Sequence, residues 1–341
     1  MMMSMSKKVV LCGVPGMKPS DIIKMEAYIK EEFSQVDFQY ISELVLEKSE
    51  LIKGCKDAEV LISWDQEMDE EVYSALNLKA YIAASAGYNA ANVEAAIKHN
   101  VVVSNVKGYC REEVAIHSVM FILDFARKAH IMVPSVEEGK WELSIAGSIK
   151  RFSESTVGIL GLGSIGSKVA DLLKGFGVRM ISCDPFVDSA DMKKFGVEKV
   201  DFDTLIESSD YLTIHAPLLD STRGLIDIEV LKKMKPSSYI INTARGQIIN
   251  QDDLTYALTQ GIIAGAGLDV LENEPPKESD RKLIALPNVR VTPHCAYLSN
   301  EASDTQLRTT AAEVGRILRN ERPLNLVNPE ILPNLKWIEK K

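Results

Sequence analysis

Residues 156–160 read Thr-Val-Gly-Ile-Leu, and residues 161–166 follow at once as Gly-Leu-Gly-Ser-Ile-Gly. The first run is apolar and strand-length. The second is a GxGxxG turn, and Ser167–Phe176 after it has helical character. Val178–Ser182 is the next strand-like run. It ends at Cys183-Asp184-Pro185, which puts an acid 18 residues beyond Gly166 (166 to 184). Each glycine has its own task. Gly161 permits the tight turn, Gly163 lets the backbone approach a pyrophosphate, and Gly166 lets helix and strand pack closely. The helix N-terminus then faces the phosphate charge. Asp184 is placed to accept hydrogen bonds from the adenosine ribose hydroxyls, and its carboxylate would repel a 2′-phosphate. The stretch therefore predicts a strand–turn–helix that binds NAD in preference to NADP. A bare GxGxxG is also a common turn, and a solvated strand-end acid is the lesser alternative for Asp184. The strand before, the helix after and the acid beyond are what separate the readings.

Further strand-like runs follow at Tyr211–His215, Tyr239–Asn242, Gly265–Leu268 and Val289–Thr292, ending in HAP, NTARG, DVLENEP and TPH. Upstream, Val9–Cys12 is ended by Gly13, Pro15 and Gly16, and Val36–Ile41, Val60–Ser63, Lys79–Ala83 and Val101–Ser104 are further candidates. Helical stretches lie between them, for example Asp21–Phe33 with Ser20 as its N-cap. Alternating strands and helices predict α/β structure with parallel sheets. Glu112–Ala129 is apolar nearly all round, which predicts burial between elements, and Glu137–Arg151 is polar and irregular. A length of 341 residues suits two domains at roughly 100–200 residues each.

The composition is that of a globular protein, with 46% hydrophobic and 26% charged residues. A formal charge of −9, with no basic cluster longer than pairs such as Lys7-Lys8 and Lys232-Lys233, argues against nucleic acid or an anionic membrane as partner. The five cysteines, Cys12, Cys55, Cys110, Cys183 and Cys295, show no CxxC and no metal-ligand spacing. Reduced thiols in the cytoplasm, no disulfide framework and no metal are the expectation. No apolar run reaches the roughly 18 residues of a membrane span. The opening MMMSMSKK reads as a frayed arm of six residues and not as a secretory signal.

In an open α/β sheet, ligands bind beyond the carboxyl ends of the strands, so the polar clusters there are the place to look for chemistry. Reducing a 2-oxo acid by hydride transfer needs a cation for the carboxylate, an acid for the carbonyl oxygen, and a partner that keeps the acid charged. Arg245 offers a planar fork of donors that matches a carboxylate. His294 can give and take a proton near neutral pH. Glu274 can accept a hydrogen bond from the imidazole and raise its pKa. His215 reads as a core or cofactor-shell histidine. Taken singly, each has a structural alternative: a packing histidine, a surface arginine, a solvated glutamate.

Together, the segments GLGSIG (161–166), CDP (183–185), HAPLLDSTRGLI (215–226), MKPSSYIINTARGQII (234–249), GAGLDVLENEP (265–275) and TPHCA (292–296) resemble the D-isomer-specific 2-hydroxyacid dehydrogenase family. SAGYNAANVEAA (85–96) and SNVKGYCREEVAIHSV (104–119) extend the likeness. Within the family the chain most resembles the C-terminal-binding-protein-like branch. The resemblance implies two Rossmann-like, doubly wound parallel-sheet domains. The NAD-binding domain, residues 106–298, would be inserted into a discontinuous substrate-binding domain made of residues 1–105 and 299–341.

Residue by residue, the resemblance implies that Arg245 binds the substrate carboxylate, that His294 is the general acid/base and that Glu274 is its partner. Ser85, Ala86 and Gly87 would offer backbone N–H groups to the carboxylate. For the cofactor, Gly161, Gly163, Ser164, Ile165 and Gly166 would cover the pyrophosphate and Asp184 the ribose. His215, Ala216, Pro217 and Thr222 would line the adenosine side. Thr243, Ala244, Arg245, Asp269 and His294 would approach the nicotinamide, with Asp269 on its carboxamide. A homodimer is implied, for which Val114–Phe125 and Ile131–Trp141 are candidate surfaces. The implied function is an NAD-dependent D-2-hydroxyacid dehydrogenase acting on a small 2-oxo or 2-hydroxy acid. The alternative is an NAD(H)-sensing interaction protein with weak or no catalysis. Departures from the family pattern fall on the substrate side: Ala83 replaces a common arginine, Ser85 a glycine, and Asn89-Ala90-Ala91-Asn92 an Asp-Asn pair. They weaken a phosphoglycerate reading, since a phosphate would want more cations. Trp64, Tyr88 and Tyr109 are candidate substrate-lining residues.

Overall fold

A computed structural model describes residues 6–12, 17–42, 46–64 and 66–338. The frayed arm expected at residues 1–6 lies outside them apart from Ser6, as do Gly13, Pro15 and Gly16, the breakers expected after the first strand. The chain divides into two compact units, Met1–Tyr109 with Ser299–Lys341, and Cys110–Leu298.

The first unit is a five-stranded parallel sheet of β1 (Lys7–Leu11), β2 (Val36–Tyr40), β3 (Val60–Ser63), β4 (Ala80–Ala83) and β5 (Val102–Ser104), in the order β2-β1-β3-β4-β5. Its strands alternate between two buried faces. Val9, Leu11, Val60, Ile62, Ala80 and Ile82 pack with Met25 and Ile29 and with the helix Asn300–Leu318. Val10, Leu61, Tyr81 and Val103 pack on the other side with Leu51, Val72, Tyr73 and Ala95. The returning C-terminal segment is stitched to the sheet by Asn328, whose Oδ1 accepts from Val103 N at 2.9 Å and whose Nδ2 donates to Val101 O at 2.9 Å. The helix expected at Asp21–Phe33 runs Pro19–Glu32. Ser20 is not its N-cap: Pro19, whose φ is preset for a first helical turn, starts the helix earlier, and the cap is Lys18 without a side-chain bond.

The second unit is a seven-stranded parallel sheet of β6 (Thr156–Leu160), β7 (Arg179–Cys183), β8 (Val197–Lys199), β9 (Tyr211–Ile214), β10 (Tyr239–Asn242), β11 (Gly265–Leu268) and β12 (Val289–Val291). The order is β12-β11-β10-β9-β6-β7-β8. Chain direction across the sheet reverses between β6 and β9, which is the switch point where a doubly wound sheet opens its ligand crevice. Val157, Ile159 and Ile241 bury one face under the helices Arg111–Arg127 and Ser164–Leu173, through Val119, Ile122, Phe125, Val169 and Leu173. Leu212, Ile214 and Ile240 bury the other under Leu205, Leu231 and Leu254. Each such aliphatic chain contributes about 1.5–3 kcal/mol on burial. The helix Arg111–Arg127 ends at Lys128, which takes a left-handed φ of 56°, so the expected single run to Ala129 breaks there and Ala129–Glu137 starts anew. Its burial is incomplete: Ile116 and Met120 stay exposed. Strand β8 was not expected, because its three residues are too short to show a period.

Candidate functional site

The glycine turn sits at the carboxyl end of β6. Gly161 has φ +88°, which only glycine adopts without strain, and a Cβ there would lie 2.9 Å from Ala216 N. The turn is thus packed directly on the segment His215–Pro217 that follows β9. A Cβ on Gly166 would lie 2.2 Å from Gly161 O, whereas one on Gly163 would meet nothing within 4 Å. Gly163 is the N-cap of the helix Ser164–Leu173, and the space beside its Cα is open. That open cradle at a helix N-terminus fits a pyrophosphate. Arg111, which the sequence reading did not single out, anchors the same helix through Nε to Ser164 O at 2.8 Å.

Asp184 follows β7 beside this turn. Its Oδ2 accepts from Leu162 N and its Oδ1 from Phe186 N, both at 2.8 Å, which leaves lone pairs for ribose hydroxyls. His215 pairs with Thr213 Oγ1 at 2.9 Å, and burial pushes its pKa down to about 3. It is a neutral wall residue and not an acid. Thr222 closes its own turn: its hydroxyl donates to Pro217 O at 2.7 Å and accepts from Leu219 N at 2.8 Å.

The second cluster lies at the ends of β10, β11 and β12. Asn242, the last residue of β10, accepts from Ala244 N at 3.0 Å and donates to Arg245 O at 2.9 Å, so it folds the 243–245 turn back on itself. Thr243 bonds Ser118 Oγ at 2.8 Å; since Ser118 already donates to Val114 O, Thr243 is the donor. Half-buried Arg245 donates from Nη1 to Ala244 O at 2.7 Å. Next to it, a Cβ on Gly246 would lie 2.0 Å from the Leu271 carbonyl, so the arginine turn lies flat on the segment that leads to Glu274.

His294 has φ +50°, a left-handed conformation that costs a non-glycine residue about 1–2 kcal/mol. Asp269 offsets this. Its carbonyl accepts from His294 N at 2.8 Å, its Oδ1 from Cys295 N and its Oδ2 from Ala296 N, both at 2.9 Å. Three successive N–H groups thus converge on one buried residue, two of them on its carboxylate and one on its backbone carbonyl. Thr292 Oγ1 adds a bond to Asp269 Oδ1 at 2.5 Å and lies 2.9 Å from His117 Nε2. His117, Asp269 and Cys295 offer three ligand atoms within 4.8 Å of one another. The Thr292 hydroxyl bonds two of the three groups and ties them into a hydrogen-bonded relay.

The turn aims the His294 ring at Glu274, with Nδ1 2.5 Å from Glu274 Oε2. Desolvation pulls the imidazole pKa down, but the Glu274 hydrogen bond and charge outweigh it, and the net direction is up. Arg245 is near enough for its charge to oppose that rise and Asp269 for its charge to support it. Arg245, Asp269, Glu274 and His294 are therefore brought into one neighbourhood. The Tyr297 ring stands edge-on to His294 at 6.2 Å, an aromatic neighbour the sequence reading missed.

A family model, described as the NAD-binding domain of D-isomer specific 2-hydroxyacid dehydrogenase, matches residues 119–296. The chain belongs to that family. This dehydrogenase is 34% identical over 290 residues to a glyoxylate reductase of Korarchaeum cryptofilum, covering 84% of this chain and 87% of that one. It is 34% identical over 294 residues to a D-3-phosphoglycerate dehydrogenase of Methanocaldococcus jannaschii, covering 85% of this chain but 56% of that one. Its fold matches the NAD-complexed form of a D-isomer specific 2-hydroxyacid dehydrogenase from Lactobacillus delbrueckii ssp. bulgaricus, with a TM-score of 0.72, 26% identity and coverage of 94% and 100%. The dehydrogenase is an oxidoreductase that acts on CH–OH groups and binds NAD(H) through its second unit. Among the described residues no helix is long and apolar enough to cross a membrane. Among the described residues no two cysteines are joined by a disulfide.

The sequence-predicted residues Ser85, Ala86 and Gly87 belong to the first unit, after β4. Their three carbonyls are all taken: Ser85 O by Val106 N at 2.9 Å, Ala86 O by Asn105 Nδ2 at 2.7 Å, and Gly87 O by Ser85 Oγ at 2.7 Å. Among the described residues their three amides have no acceptor.

Proposed function

We propose that this enzyme reduces a small 2-oxo acid, with His294 as the acid that protonates the carbonyl oxygen. The 2.5 Å contact between His294 Nδ1 and Glu274 Oε2 carries the proposal. It fixes the ring so that Nε2 is the free nitrogen, and it favours the imidazolium needed for reduction. In the oxidative direction the same ring, neutral, takes the hydroxyl proton. Arg245 binds the carboxylate of the acid and polarises its carbonyl. The amides of Ser85, Ala86 and Gly87 are proposed as further carboxylate donors, because a loop whose carbonyls are bonded and whose amides are open suits an anion. The nucleotide-binding role goes to the second unit.

The dinucleotide supplies or accepts the hydride when bound. Gly161, Gly163, Ser164, Ile165 and Gly166 would hold its pyrophosphate, Asp184 its ribose, and His215, Ala216, Pro217 and Thr222 the adenosine side. Thr243, Ala244 and Asp269 would border the nicotinamide. Asp269 has a second task in fixing the His294 turn. The carboxylate of Asp184 is the ground for preferring NAD to NADP. The test is NADH oxidation with pyruvate, phenylpyruvate, glyoxylate and hydroxypyruvate. Turnover of at least one is expected, and NADH binding without any turnover would overturn the reading.

A homodimer is also proposed. Ile116, Met120, Val133, Val136, Trp141 and Leu143 are exposed on the second unit, and Trp141 and Leu143 are 89% and 87% exposed. Apolar side chains this open on one stretch of chain mark an interaction surface, and a second copy is the partner proposed. Sedimentation should give twice the chain mass, and Trp141→Asp with Leu143→Asp should return it to the monomer value.

A further inference from the structure

We propose that Gln251 and Asp280 are positioning residues that hold the segment Leu271–Glu274, and with it the Glu274 carboxylate, against the His294 imidazole. The proposal rests on the reading of Glu274 and His294 as an acid–base pair. Asp280 is 1% exposed, a rare place for a carboxylate, and the chemistry proposed above makes no use of it. Its Oδ1 accepts from Gln251 Nε2 at 2.6 Å and from Asn273 Nδ2 at 3.2 Å, and its Oδ2 accepts from Lys277 N at 2.6 Å. Burial alone would push its pKa up, but these bonds hold it below the usual carboxylate range.

An anion that can only accept forces the NH2 end of the Gln251 amide toward itself. The oxygen end is thereby aimed at the backbone, where Gln251 Oε1 accepts from Glu272 N at 3.0 Å. Gln247 Nε2 holds the next peptide, donating to Glu272 O at 3.0 Å. Leu271 N then donates to Glu274 Oε1 at 3.0 Å, which leaves Oε2 for His294. Gln251 itself is rigidly placed. It opens the helix Gln251–Thr259, which is capped by Asn250, and Thr255 Oγ1 donates to its carbonyl at 2.7 Å. Because Gly246 lies on Leu271, the same bonds support the turn that carries Arg245.

The test is the pH dependence of kcat/KM for NADH-dependent reduction of the best acid in the panel above, using the full-length protein. The charged groups that act on His294 are Glu274, Arg245 and Asp269, and Gln251→Met leaves all three in place. Gln251→Met is expected to move the high-pH limb toward acid by about half a pH unit, as the Glu274 contact loosens, with the NADH Kd unchanged. Glu274→Gln, measured in parallel, gives the full shift. A limb unmoved in Gln251→Met but moved in Glu274→Gln overturns the positioning role and leaves the acid–base pair standing. A limb unmoved in both overturns the pair, and the positioning role with it. Asp280→Asn, which keeps the side-chain volume, is read in the same way should Gln251→Met fail to fold.

Discussion

The two parallel sheets of this protein share a construction and differ in what they present at their strand ends. In the first unit, the loop after β4 offers backbone: among the described residues the amides of 85–87 have no acceptor, while their carbonyls are bonded. In the second, the loops after β10, β11 and β12 offer side chains, each on a residue held by a specific hydrogen bond. Asn242 holds Arg245, Asp269 holds His294, and Leu271 N holds Glu274. Under the proposed function, the difference makes one doubly wound scaffold an anion cradle and the other a site of proton transfer. What decides is whether the strand-end loops are built around N–H groups or around titratable groups.

The strongest way to break this division is to remove the proposed proton donor. His294→Gln keeps a polar side chain and should lower kcat/KM for reduction by about 10²–10⁴-fold, with NADH binding measured by fluorescence left intact. Wild-type reduction should fall as pH rises through the His294 pKa, because the imidazolium is the reactive form. That limb should lie above the ordinary histidine value of about 6.5, since the Glu274 contact raises it. A limb at or below that value would remove Glu274 from its role. Arg245→Lys keeps the charge but loses the planar fork. It should raise KM for the oxo acid by about 10–100-fold, the worth of one charge-assisted bond, with little change in NADH affinity.

The side-chain half of this comparison was legible in the sequence and the backbone half was not. Arg245, Glu274 and His294 each follow a strand that the apolar runs mark out, and family motifs surround them. The glycine turn was legible because only glycine tolerates φ +88° at 161 and the contact of 166 with Gly161 O. The orienting residues were hidden for different reasons. Asn242 and Thr292 lie inside recognised motifs, but an Asx turn and a hydroxyl relay look like any polar strand end. Asp280 and Gln251 carry no signal at all. They are 29 residues apart, and nothing in local composition tells a buried aspartate from a solvated one in an acidic, proline-rich loop. Strand β8 and the early start of the helix at Pro19 were missed because three residues show no period and because a proline was outweighed by a serine. The open amides at 85–87 could be named only by resemblance, since a free N–H is a property of how the neighbouring carbonyls are bonded and not of residue type.

Cofactor choice sharpens the comparison without touching the proton chemistry. Asp184→Ala removes the carboxylate that would repel a 2′-phosphate. It should shift the NADPH-to-NADH ratio of kcat/KM by about tenfold toward NADPH, roughly the effect of one charge interaction near the surface. An unchanged ratio would move the discrimination elsewhere in the second unit.

The smallest effect expected is in the first unit, and it tests the cradle itself. Asn105 is 1% exposed and donates from Nδ2 to Ala86 O at 2.7 Å, while its Oδ1 has no partner among the described residues. Burying one unsatisfied oxygen carries a cost, and the compensating bond goes to the loop whose amides are open. Asn105→Ala frees the Ala86 carbonyl, so the peptide that should aim its N–H at an anion loses its tether. The expected result is a rise of about threefold to tenfold in KM for the oxo acid, consistent with one neutral hydrogen bond, while kcat and the NADH Kd stay put. If kcat falls with KM unchanged, the 85–87 loop is part of the reacting geometry and not a ground-state anchor. The division between a cradle of amides and a centre of side chains would then not hold.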